Sequence, residues 1–77
     1  MLSFNFPFNL PGFAPHTYRV IQHEMYGTYH LFWKNKDVLI GGFAKVNGIW
    51  EQITGRQMPE GMAEQLGKYI ETHKLWI

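Results

Sequence analysis

Seventy-seven residues with a net charge of +1 make at most one domain and give no electrostatic case for bulk affinity to nucleic acid or to a membrane surface. The chain has no cysteine, which excludes disulfides, thiolate metal sites and cysteine nucleophiles. Charged residues are 17% and aromatic residues 17% of the whole, against about a quarter charged in an ordinary globular domain, a balance that points to surface covered by something.

Residues 1–17 read as an extended aromatic and proline-rich arm. The stretch "FNFPFNLPGFAP" at 4–15 holds Phe4, Phe6, Phe8 and Phe13 with Pro7, Pro11 and Pro15, and carries no charge. The prolines forbid a helix, and they interrupt the apolar run that a secretory signal would need. No segment is apolar for long enough to span a bilayer. A cytoplasmic protein is therefore expected. Fixing the backbone with proline lowers the entropy lost on docking, so the arm is expected to lie across the second sheet face, the one its helix leaves uncovered, with Phe6 and Phe8 buried there on its own subunit, on a second copy in a homodimer or on another protein.

Residues 18–77 read as a single small α+β domain. "TYRVIQHEM", "TYHLFWK", "DVLIGGFAKV" and "GIWEQIT" are β-branched and aromatic segments separated by turn signals. Asn47–Gly48 is a strong two-residue hairpin signal, and Tyr26–Gly27 and Asn35–Lys36 are further turn candidates. Tight turns at all three give a four-stranded antiparallel β-meander. After "GRQ" the period changes. Pro59 suits a first helical turn with Glu60 beside it, and Met62, Leu66, Tyr69, Ile70 and His73 recur at helical spacing. One C-terminal helix packed on one sheet face follows, with Gly67 allowing a close approach and "LWI" docking at the end.

Pairing outward from each turn assigns the faces. Val20, Leu31, Trp33, Val38 and Ile40 share a face with Tyr29, Ala44, Val46, Ile49 and Ile53, and this face receives the helix. The other carries Ile21, Met25, Phe32, Leu39, Phe43 and Trp50 among Arg19, His23, His30, Lys34, Lys45 and Gln52. Paired glycines such as Gly41–Gly42 often mark a bulge, and one there would shift the assignment beyond them. The proposed interaction face is Phe6, Phe8, Phe32, Leu39, Phe43 and Trp50, because exposed apolar patches mark interaction sites.

Chemistry has little to work with here. Ser3 is the only serine and Asp37 the only aspartate, no carboxylates converge on this register, and the glycines form no phosphate-cradling motif. His23 and His30 fall opposite each other, yet two imidazoles do not complete a zinc site. A non-enzymatic interaction module with no metal and no cofactor is the expectation. The rival is single-stranded nucleic-acid binding, with Arg19, Lys34 and Lys45 interleaved among Phe32, Phe43 and Trp50 as a stacking platform.

Overall fold

The computed structural model describes residues 1–12, 14–25, 27–34 and 38–77. Phe13, Asp37 and the turn candidates at Tyr26–Gly27 and Asn35–Lys36 lie wholly or partly outside them. Five strands, not four, form one antiparallel sheet in chain order: β1 (Leu2–Phe8), β2 (His16–Gln22), β3 (Tyr29–Trp33), β4 (Leu39–Val46) and β5 (Ile49–Gly55). A single helix, α1 (Met62–His73), follows.

The additional strand is the aromatic arm. β1 pairs along its length with β2, from Leu2 opposite Gln22 to Phe8 opposite His16. Phe4, Phe6 and Phe8 alternate with Ser3, Asn5 and Pro7, the period of a strand with one face covered. Pro7 is tolerated because β1 is an edge, where one row of backbone groups has no ladder to complete. Phe6 and Phe8 are buried in the core of their own subunit, on the helix side of the sheet, and do not lie across the second face.

At the other hairpin the sequence reading holds. Val46 pairs with Ile49 around Asn47–Gly48, whose φ values of 52° and 84° are those of the primed turn that matches strand twist. The faces beyond Gly41, however, are inverted. Leu31 pairs with Gly41 and Phe32 with Leu39, leaving Ile40 as the extra residue of a bulge. One added residue sends every later side chain to the opposite face. Phe43 therefore enters the core and Trp50 goes beneath the helix, while Ala44, Val46 and Ile49 turn outward.

A second bulge leaves Ile53 without a partner between Thr54 and Gln52. Gln52 Nε2 braces it by donating to the carbonyls of Thr54 and Arg56 at 3.0 and 2.6 Å. Gly55 closes the irregularity at φ 100°, where a Cβ would collide with the Ile40 carbonyl and Gly41 Cα.

The core is Phe6, Phe8, Tyr18, Val20, Tyr29, Leu31, Ile40 and Phe43 from the sheet against Met62, Leu66 and Ile70 from the helix. Glu64 and Lys68 are exposed. Pro59 sits before the helix and not in its first turn: its carbonyl accepts the Met62 N–H, and Gly61 is the N-cap. Of the sheet, α1 approaches most closely the two edge strands, β1 and β5, so the sheet curls around it. Toward β5, Gly67 faces the Trp50 indole with no room for a Cβ. Toward β1, Tyr69 packs on Phe4 and Phe6 at centroid distances of 6.0 and 5.6 Å.

The chain beyond the helix returns to β2 and β3. The Tyr29 hydroxyl donates to the Leu75 carbonyl at 2.6 Å, and Ile77 N–H donates to Gln22 Oε1 at 3.0 Å. Gln22 Nε2 donates to the Gly27 carbonyl. Both ends of this amide are thus satisfied, as its 1% exposure requires.

Candidate interaction face

With α1 on one side, no element among the described residues covers the other side of the sheet. Strand alternation places Arg19 and Ile21 of β2, His30 and Phe32 of β3, Leu39, Ala44 and Val46 of β4, and Ile49 and Glu51 of β5 on it. Leu39 is 50% exposed, Val46 38% and Ile49 64%, and Ile21, Phe32 and Ala44 are half-buried. A sheet face meant only for water alternates to polar residues. Here Ser3, Asn5, Pro7, Thr17, Gly42 and Thr54 share the open side, so β1 makes it polar along one edge, and the apolar side chains gather on β2 to β5.

The residues singled out from the sequence separate into two groups. Phe32 and Leu39 stand together on the open face, where they pair directly, and Arg19 pairs with Phe32 on its other side. Phe6, Phe8 and Phe43 are core residues. Trp50 lies half-buried under α1, with its Nε1–H donating to Glu71 Oε2 at 3.0 Å. Lys45 is also on the helix side and pairs with Glu71 at 2.9 Å. Lys34 is exposed just beyond β3.

These contacts have an electrostatic consequence. The hydrogen bonds from Lys45 and from Trp50 hold the Glu71 carboxyl below the usual carboxylate range. The aromatic and basic residues expected to form a stacking platform are in this way divided between the two faces. Ala44, Val46 and Ile49 of the open face were not legible as such, because only the bulge at Ile40 turns them outward.

Two concave places lie elsewhere, one at the His30 end of the open face and one on the helix side. His23 and His30 have ring centroids 5.7 Å apart, although Ile21 and not His23 is the direct partner of His30. The hairpin pairing is displaced by two residues, which preserves the face. Among the described residues His30 Nδ1 is buried without a hydrogen-bond partner, beside a cavity of about 380 Å³ lined with His23, Glu24, Gly27 and Thr28. Among the described residues no three metal-ligating side chains converge.

At the opposite end, Phe8, Leu10, Ala14, His16, Tyr18 and Pro59 line a cavity of about 360 Å³. Trp33 packs against Tyr18 at 5.4 Å, and burial pushes the Tyr18 phenol above its ordinary value. No helix among the described residues is long and apolar enough to cross a membrane. Compared with family models, curated proteins and solved structures, the chain matches none.

Proposed function

We propose that this chain is a small protein-interaction module that self-associates into a homodimer through its open sheet face. The observation that carries the reading is two apolar pairs on a face that α1 does not cover, Phe32 with Leu39 at one end of β4 and Val46 with Ile49 at the other, with Ala44 between them. Leu39 and Ile49 are at least half exposed, and exposed apolar surface on an uncovered sheet face marks an interaction site. Covering one aliphatic side chain contributes about 1–2 kcal/mol when part of it is already buried, against about 4–15 kcal/mol of lost freedom on association. Such a face supports a dimer of moderate affinity, in exchange with monomer at micromolar concentrations.

Single-stranded nucleic-acid binding draws less support. Phe43 and Trp50 lie on the helix side, and Lys45 already has a carboxylate partner.

The test is molar mass by sedimentation equilibrium or light scattering across the micromolar range, for the parent and for Leu39→Asp. The parent is expected to dimerise with concentration. Leu39→Asp, altered at an exposed position, is expected to stay monomeric and folded. A parent chain that remains monomeric into the millimolar range refutes the reading.

A further inference from the structure

Among the described strand residues, the open face carries two full charges, Arg19 and Glu51. Arg19 is on β2, level with Phe32 and Leu39. Glu51 is on β5, level with Ala44. Three strand spacings separate them across the sheet, about 14 Å at 4.8 Å per strand. From Leu39 to Ala44, with Ile40 taken up in the bulge, they are about 13 Å apart along the strands at 3.3 Å per residue.

Arg19 and Glu51 thus occupy opposite corners of a nearly square patch, about 19 Å apart along its diagonal. They are too far apart to pair within one chain. Both are exposed, and neither takes part in the ion pair found among the described residues. Arg19 is held by its own Nε–H, which donates to Ser3 Oγ on β1 at 3.3 Å. Its terminal guanidinium nitrogens make no hydrogen bond among the described residues.

We infer that the second copy docks face to face about a two-fold axis lying in the interface, along the other diagonal of this patch, so that Arg19 of each protomer pairs with Glu51 of the partner subunit. This rests on the self-association proposed above and specifies its orientation. A two-fold interface is self-complementary, so whatever one copy presents must match the same surface rotated. A face with one positive and one negative corner meets that condition in this arrangement: the rotation exchanges the corners and forms the pair twice. Turning either copy by a half-turn in the plane sets like charges against each other, which selects against that register. Because the axis runs diagonally across a square patch, the strands of the two sheets cross near a right angle, one of the two ways in which sheets pack.

Charge-swap variants of the intact chain provide the test, with dimer dissociation measured by sedimentation velocity at low and high salt. Arg19→Glu and Glu51→Arg each replace both attractive pairs by repulsive ones. Each is expected to weaken the dimer roughly tenfold or more at low salt, and less at high salt. The double variant restores both pairs in reverse and is expected to return to within a few-fold of the parent. Melting temperatures of all three should stay near that of the parent, since both positions are exposed. Single variants that dimerise like the parent, or a double variant as weak as the singles, would overturn the orientation while leaving self-association standing. A monomeric parent would overturn both.

Discussion

Replacing Gly67 by alanine tests how tightly α1 is seated. In an exposed helix interior this substitution stabilises by about 1 kcal/mol, because glycine is the more flexible residue in the unfolded chain. Here the added methyl would fall on the Trp50 ring, under 3.0 Å from Cδ1, Cγ and Nε1, where carbon atoms prefer about 3.5–4.0 Å. The indole has little freedom to yield. Its Nε1–H is bonded to Glu71 and its ring packs edge-on against Tyr29 at 5.6 Å.

The helix must therefore back away by about 1 Å, loosening Met62, Leu66 and Ile70 together. Overpacking of this kind costs about 1–3 kcal/mol, and the lost contacts of three core residues add to it. The steric loss exceeds the gain in propensity. A net destabilisation of about 1–2 kcal/mol is expected, and with about 4–8 °C per kcal/mol for a domain of this size the melting temperature should fall by about 5–15 °C.

Thermal unfolding followed by circular dichroism measures it, in the parent and in a Trp50→Leu background. Removing the indole should reverse the sign, so that Gly67→Ala becomes neutral or stabilising there. If Gly67→Ala raises the melting temperature of the parent, the close approach of α1 to β5 is wrong.

Leu66→Ala should cost about 2–5 kcal/mol, enough to unfold much of a domain this small at room temperature; a urea midpoint unchanged from the parent would contradict its place in the core. Phe6→Ala should lower stability by about 3–5 kcal/mol without changing molar mass, since the ring serves its own subunit, whereas a stable monomer in place of a dimer would return the aromatic strand to an intermolecular role. Burial raises the Tyr29 phenol above 10.0, with the Gln22 amide working against it, so its contribution is fully present below pH 10 and is lost as pH rises through the higher folded value. Melting temperatures should drop across that alkaline range, and Tyr29→Phe should flatten part of the drop; an equal slope in both proteins would refute the assignment.

What could be read from the sequence depended on whether the signal was local. Asn47–Gly48 selects its turn through two backbone dihedrals, and the period of Leu66, Ile70 and their neighbours names the buried helix face without reference to anything distant. The β1 strand was legible in principle, since Phe4, Phe6 and Phe8 alternate with polar residues and proline. Pro7 excludes a helix, and because proline is tolerated at a sheet edge it does not exclude an edge strand.

The open face was the least legible feature. Its composition beyond Gly41 depends on a single extra residue, Ile40. Gly41–Gly42 marks where such a bulge can form but not whether one or two ladders slip there. Both do, and the slip at Ile40 alone exchanges Phe43 and Trp50 with Ala44 and Ile49 between the faces.

The curl that brings β1 and β5 to opposite flanks of one helix also sets an order of events. Each strand pairs with its sequence neighbour, so the meander can zip up through short closures, which favours speed. The hydrogen bond from Gln65 Nε2 to the Asn9 carbonyl, 56 residues apart, belongs to a different class. It forms once the finished sheet has carried its first strand round to meet the last element of the chain. Until then Phe4, Phe6 and Phe8 face a groove with no occupant. In a chain emerging from a ribosome, that groove opens with the completion of β5 and closes only when the segment through Ile70 follows. For that interval the concave side, later the driest part of the molecule, is its most adhesive surface.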